Sequence, residues 1–418
     1  MTALAIVFWV CVGLLVYTHL GYPLLLALIV RLPGLAGQPA RGGETGETAA
    51  AARSTAAAGG TAAAGGMAAA GGTAANAGAM ASATRDDLPF VSVIVAAYAE
   101  EAVIAERVTN LRALDYPSDR VEVIVACDGS PDETAVRARA AGADVVLELP
   151  RGGKVRAQDA AVARARGELT AFSDANATWE PQALARLVAA FADPRVGYAC
   201  GSVAFVNDEG TNQEGLYWRY EMAVRRLESR VRSVTGGNGA IYATRRDSYL
   251  IVDPIMGHDL SFPFNMVKRG WRAVYVPDAR ASEKMVPTIE GEFARKRRMM
   301  SHGWPIVVRG GMLSPRGYGP LYAVMIFSHR ILRYLSPFLH VLALALSIVL
   351  IGQGWVYVVA LALQLAVLLA ALLAPLMPAR PLLVARYYVL TTASLAAGLW
   401  DWLRHGTAAG WEPAEGTR

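Results

Sequence analysis

Three aspartates close apolar runs in this 418-residue chain: Asp128 after VEVIVAC, Asp174 after ELTAFS, and Asp259 within MGHDLSF. Carboxylates at the ends of buried strands read as chemistry on a charged substrate before they read as packing. Asp128 stands in CDGSPDE, where Gly129 and Pro131 force a turn. That turn holds the carboxylate at a cleft, where it accepts a hydrogen bond from a base or a sugar. Asp132 in the same segment reads equally as a helix cap. Asp174 and Asn176 in FSDANATW are two positions apart, and on extended backbone their oxygens share one side. Such a pair suits a hard divalent cation that keeps waters and bridges phosphates. Asp259 follows His258 and precedes an apolar run. An ordinary aspartate has a pKa of about 3.9, so near neutrality it can take a proton from an attacking hydroxyl as a general base. The structural alternative is a cap on the helix that begins near Leu260.

Cations accompany these carboxylates. Lys154 in RGGKVRAQDA lies between a glycine pair and a helix start, within reach of a phosphate or simply on a surface loop. Arg295 and Arg298 in the run Arg295 to Arg298 share one helix face, which suits either solvent and headgroups or a diphosphate leaving group. The TGGNG turn, with Gly237 and Asn238, permits close backbone approach to a ligand or forms a plain tight turn. His258 and His302 have no partner at metal-ligand spacing, and Trp304 reads first as a core or interfacial residue.

The elements that position these groups alternate as strand and helix from Pro89 onward. FVSVIVAAY, VEVIVACD, DVVLEL and LTAFSD are strands, and helices run from Glu101, Asp132, Val155 and Pro181. YACGSVAFV, a long amphipathic helix around Tyr217 to Val231, the glycine turn and an α/β stretch to Val276 follow, with a basic helix over Glu290 to Arg309. This pattern predicts an α/β class domain with a mostly parallel sheet flanked by helices.

The apolar fraction of 54% exceeds soluble norms, and the apolar residues concentrate at the ends of the chain. Residues 1–31 form one run long enough to span, and three more lie at Phe338 to Ile351, Trp355 to Leu376 and Leu382 to Trp400. Arg31, Arg41, Arg53, Arg380 and Arg386 place the adjoining loops, and the central domain, on the cytoplasmic side of the plasma or inner membrane. The expected organisation is 1–31 transmembrane, 32–88 an Ala/Gly-rich flexible linker, 89–310 the cytoplasmic domain, 311–335 interfacial, 336–403 about three transmembrane helices, and 404–418 a tail. Cys11, Cys127 and Cys200 are scattered and have neither disulfide nor zinc spacing. A net charge of +5 without a basic stripe interleaved with aromatics argues against nucleic acid as a partner and for membrane lipids.

From about Pro89 to Trp304 the order of these segments resembles the membrane-bound family 2 glycosyltransferases, inverting enzymes of the GT-A fold related to cellulose, chitin and hyaluronan synthases. The segment YTHLGYPLLL is also similar to that family's first helix. The resemblance implies that Ala97, Tyr98 and Glu100 contact the nucleotide, Asp128 its base, and Lys154, Asp174, Arg295 and Arg298 the donor. Asp174 and Asn176 match the metal motif, implying Mg²⁺ or Mn²⁺. Asp259 matches the catalytic base. Gly237, Asn238, His258 and Trp304 fall on the acceptor side.

Three positions depart from the family pattern. His258 replaces an acidic residue, Asn176 replaces a second carboxylate, and Met299 stands where a tryptophan is expected. The implied activity is inverting transfer of a sugar from a nucleotide-diphosphate sugar to a lipid-linked or polysaccharide acceptor. Its alternatives are a processive polysaccharide synthase, a non-catalytic glycosyltransferase-like scaffold, and a membrane-anchored nucleotidyltransferase that would release pyrophosphate.

Overall fold

A computed structural model describes residues 2–32, 87–206, 214–284 and 288–410, with the side chains of 214–217 left aside. Most of the expected 32–88 linker and the last residues of the tail lie outside the described residues.

Among the described residues eight strands form one mixed sheet in the order β3-β2-β1-β4-β7-β6-β8-β5. They are β1 (Val91–Ala97), β2 (Val121–Asp128), β3 (Val145–Leu149), β4 (Leu169–Asp174), β5 (Thr178–Trp179), β6 (Val196–Val206), β7 (Tyr242–Arg245) and β8 (Arg272–Lys284). β1 to β4 are mutually parallel neighbours, as their near-continuous apolar sequences predict, because such strands are covered on both faces. Val91, Val93 and Val95 enter one buried cluster and Ile94 and Ala96 the other. β7 runs antiparallel between β4 and β6, pairing Phe172 with Tyr242. That reversal decides the site. It brings the start of β7, and the glycine turn before it, to the edge where the parallel strands end.

On the faces of the sheet lie α2 (Ile104–Arg112), α3 (Thr134–Ala140), α4 (Lys154–Val162), α5 (Ala183–Ala189), α6 (Glu214–Val231) and α7 (His258–Lys268), while α8 (Ile289–Val308) packs against the last apolar helix of the chain, Arg380–His405. The Thr288 hydroxyl caps α8 by accepting from the Gly291 amide at 3.0 Å. The short strand β5 and the full length of β8 are absent from the sequence reading. β5 is only two residues long, and β8 carries charged residues at intervals along its length.

Four helices among the described residues are long and apolar enough to cross a membrane: α1 (Thr2–Arg31), α9 (Pro320–Val349), α10 (Trp355–Leu373) and α11 (Arg380–His405). The expected interfacial segment 311–335 is divided, since from Pro320 it is already the first half of α9. Both α1 and α9 contain a single π-turn, at Tyr17–Gly21 and Phe327–Ile331. The two widened turns meet, with Tyr17 and Ser328 sharing a hydroxyl hydrogen bond of 2.9 Å. A third buried cluster joins Tyr22 and Leu26 of α1 to Val224, Phe264, Trp304, Tyr322, Met325 and Tyr334. The sheet domain is thereby docked on the apolar helices, and burial of those large side chains is the main force holding it there.

Candidate functional site

Ala97, Asp128 and Asp174 all end parallel strands, so they share one edge of the sheet. Asp128 is only 1% exposed, and its oxygens are already engaged by its own chain. Its carboxylate accepts from the amides of Gly152 (2.6 Å) and Gly153 (2.9 Å) and from Arg151 Nη1 (3.1 Å). The open cleft expected at Asp128 is therefore closed over by the RGG loop. Gly129 makes this possible: it sits at φ +66°, and a Cβ there would lie 2.8 Å from the Arg151 amide. Arg151 also lies over the Tyr98 ring, 3.2 Å from its centroid, so the expected nucleotide side is floored by a stacked cation and phenol. Ala97 is fully buried at the end of β1, and the Glu100 amide donates to the Thr134 hydroxyl at 2.9 Å. Asp132 lies just before α3, whose N-cap position is Glu133, and accepts from the Thr134 amide at 3.2 Å.

Lys154 opens α4 and its ammonium pairs with Asp174 Oδ1. Burial alone would lower the lysine pKa, but the charges of Asp174, Asp259 and Glu283 outweigh it and hold the ammonium above its ordinary value. Lys154 stays charged. A Cβ on Gly239 would lie 3.2 Å from Lys154 Nζ and 3.3 Å from Asp174 Oδ2, so the glycine turn presses directly on this pair. Asn176 is placed differently from the extended pairing expected of it. β4 stops at Asp174 and the chain turns, with the Ala177 amide bonded to the Asp174 carbonyl at 3.3 Å. Asn176 lines a cleft of about 220 Å³ with Arg107, Thr178, Ser282 and Glu283.

Among the described residues no three His, Cys, Asp or Glu side chains converge as a cation cage. Asp174 is the carboxylate that a divalent cation at this edge would meet, with the charges of Asp259 and Glu283 also acting on Lys154 beside it. The donor set fits an ion held chiefly by substrate phosphates and water.

Asp259 occupies the first turn of α7, whose N-cap is Gly257 with no side-chain cap bond. It is thus not the capping residue of the alternative reading. Its main-chain carbonyl accepts from the Gly237 amide at 2.6 Å, while its half-buried carboxylate makes no hydrogen bond or ion pair among the described residues. Asn238 is a turn residue, giving its amide to Gly201 O (2.8 Å) and accepting from the Ile241 amide (2.9 Å). His258 points away into an aromatic cage, stacked 3.9 Å from Phe262 and bonded through Nδ1 to the Tyr242 hydroxyl at 2.8 Å. Burial, with the charge of Lys154, pushes its imidazole down to about 3, so it is neutral and structural.

Trp304 is buried, and its indole donates to Leu395 O at 2.8 Å. It anchors α8 to α11 and leaves its acceptor-side placement unsupported. Arg295 is bidentate to Glu292 at 2.7 and 2.8 Å. Arg298 is exposed on the same face. The three cysteines are free and buried, which agrees with packing roles.

Sequence reasoning missed what holds the glycine turn in place. Glu228 of α6 is fully buried and accepts from Tyr22 (2.7 Å) and from the Thr235 amide and hydroxyl (3.0 Å each), and shares a 2.8 Å bond with His329. Glu221 pairs with Arg333 and lies 3.6 Å from His329 Nε2. Burial would raise the Glu221 carboxyl, yet His329, Arg330 and Arg225 hold it down at about 2. The signal was present as two glutamates seven apart on one helix and charged residues inside an apolar run.

The glycosyl transferase family 2 model matches residues 92–250. The beta-monoglucosyldiacylglycerol synthase of Synechocystis sp. is 34% identical over 170 residues, covering 37% of this chain and 33% of that protein. An N-acetylglucosaminyltransferase of Rhizobium leguminosarum bv. viciae is 28% identical over 232 residues, covering 50% of this chain and 54% of the relative. The chain thus spans about a third to a half of the length of these curated relatives. Mannosyltransferase PcManGT from Pyrobaculum calidifontis, solved with GDP-Man and Mn²⁺, superposes with a TM-score of 0.66 at 22% identity, covering 95% of this chain and 99% of that one. That likeness is one of fold. Residues 92–250 are a glycosyl transferase family 2 domain, set in a GT-A fold.

Proposed function

We propose that the chain is an inverting membrane glycosyltransferase that moves a sugar from a nucleoside-diphosphate sugar to a hydroxyl on a lipid-linked or glycan acceptor. The observation that carries this reading is the Asp259 carboxylate, left without a partner among the described residues and held by its own carbonyl to the turn that touches Lys154 and Asp174. Asp259 takes the proton of the acceptor hydroxyl as that oxygen attacks the anomeric carbon. The bond to the diphosphate breaks on the opposite face, and one displacement inverts the centre. General-base help of this kind is worth roughly 10²–10⁴-fold.

Lys154 stabilises the negative charge that gathers on the departing diphosphate. Arg298, one helical turn on from Arg295, would join it, and Arg295 would do so on leaving Glu292. A divalent cation, Mg²⁺ or Mn²⁺, would be held by Asp174 and would neutralise the diphosphate. The Tyr98–Arg151 stack and the loop closed on Asp128 form the nucleotide side. The apolar helices support an integral membrane location, and the arginines flanking them support a cytoplasmic catalytic face. The names of the relatives, a glucosyldiacylglycerol synthase and an N-acetylglucosaminyltransferase, support a lipid or glycan acceptor.

The test is nucleoside diphosphate release by the purified protein across sugar nucleotides, beside Asp259→Asn. Turnover with one donor that vanishes in the variant supports the assignment. Turnover retained in the variant removes Asp259 as the base.

A further inference from the structure

We propose that Arg330 and Tyr334 of α9 form a recognition site for a phosphate group carried by a lipid acceptor. The proposal rests on the reading of Asp259 as the base, since it places the acceptor beside that residue. Arg330 Nε donates to the Thr235 hydroxyl at 2.9 Å, and a Cβ on Gly236 would overlap Arg330 Nη2. The guanidinium therefore lies along the glycine turn, one residue before the amide that holds Asp259. Neither Nη group has a partner among the described residues. The carboxylates nearby are hydrogen-bonded to other groups, Glu228 to Tyr22, Thr235 and His329 and Glu221 to Arg333 and His329, so they feel the Arg330 charge without occupying its Nη donors. An arginine in an apolar helix with two donors unused marks a binding function.

Tyr334 lies one helical turn further on the same face. Its ring packs edge-on against Trp304 at 5.1 Å, its hydroxyl makes no hydrogen bond among the described residues, and it lies within range of the charges of both Arg330 and Asp259. A planar guanidinium with a neighbouring phenol matches the oxygens of a phosphate. Below the pair, at helical spacing, Phe338, Val341 and Leu342 are exposed apolar side chains. A polar pair above an apolar stripe fits a phosphate headgroup with its hydrocarbon chain running along α9. Arg330 and Tyr334 thus select between acceptors, anionic over neutral.

The experiment titrates the delipidated full-length protein in neutral detergent with phosphatidic acid and with diacylglycerol of the same chains, read by native mass spectrometry without sugar nucleotide. Wild type binds phosphatidic acid in preference to diacylglycerol. Arg330→Gln loses roughly tenfold of that preference, the scale of one charge-assisted contact. Tyr334→Phe, which leaves the Thr235 contact alone, loses a smaller part. Arg404→Gln, at an exposed cation on α11, keeps it. Equal binding of the two lipids, a preference unchanged in Arg330→Gln, or one lost equally in Arg404→Gln overturns the proposal. So does full displacement by inorganic phosphate, which would make the ligand a free anion. Because no turnover is read, an error in the Asp259 assignment leaves these outcomes unaffected.

Discussion

The Gly237 amide donates to the Asp259 main-chain carbonyl at 2.6 Å, which ties the proposed base to a turn that enters the sheet at β7, three strands away from the β2 strand that ends in Asp128. The same turn presses Gly239 against Lys154 and Asp174. One five-residue segment therefore sets the distance between the donor charges and the base.

Gly237 has no room for a side chain, because a Cβ would overlap the Tyr198 hydroxyl and lie 2.9 Å from its Cζ. Gly237→Ala is expected to cost about 1–3 kcal/mol of stability by overpacking and to lower kcat more than donor affinity. Tyr198→Phe in the same chain removes the hydroxyl and should restore part of both. Melting temperatures and steady-state rates of the single and double variants check this; a fully active, fully stable Gly237→Ala would contradict it.

Much of this arrangement was legible from residue order. Four apolar strands, each followed by a helix, gave the parallel half of the sheet and put Asp128 and Asp174 at its carboxyl edge. The antiparallel β7 was not legible, since four residues of Tyr242–Arg245 carry no sign of direction. Without it the glycine turn had no place relative to Asp174. Asp128 read as open because its capping groups are backbone amides of Gly152 and Gly153, 24 and 25 residues on, and main-chain donors leave no residue-type signature. Asn176 read as paired with Asp174 only on the assumption of extended backbone, and the turn at Ala175 breaks it.

Glu228 holds Thr235 from one side and His329 from the other with no access to water. Replacing it with glutamine leaves buried cationic groups without their counter-charge, a loss of about 3–5 kcal/mol. Glu228→Gln should melt well below wild type, and adding His329→Gln should recover part of the difference, because the two sites share one network. Strictly additive losses in the double variant would mean that the pair is not energetically linked.

His258 makes stability depend on pH. Near pH 7 the imidazole is neutral in both folded and unfolded chains. Below about 6.5 the unfolded chain takes up a proton that the folded chain refuses until about 3, so the unfolded state binds more protons across that window. Stability therefore falls as pH drops below about 6.5, by up to about 1.4 kcal/mol per pH unit from this group. Comparing the pH dependence of melting for wild type and His258→Gln isolates the effect. The variant should show the shallower acid slope, and parallel curves would contradict a buried neutral histidine.

Lys154 carries the positive charge beside Asp174. Lys154→Met should weaken sugar-nucleotide binding by on the order of tenfold in calorimetry, the scale of one charge-assisted contact. Unchanged affinity would mean that Lys154 only neutralises Asp174.

The central claim is that Asp259 is the base of a sugar transfer. The measurement is single-turnover transfer with saturating sugar nucleotide, comparing wild type with Asp259→Asn, alongside nucleotide binding by the same preparations. The account predicts unchanged binding and a transfer rate lowered by roughly 10²–10⁴-fold. A variant that binds its donor and transfers at the wild-type rate would contradict it.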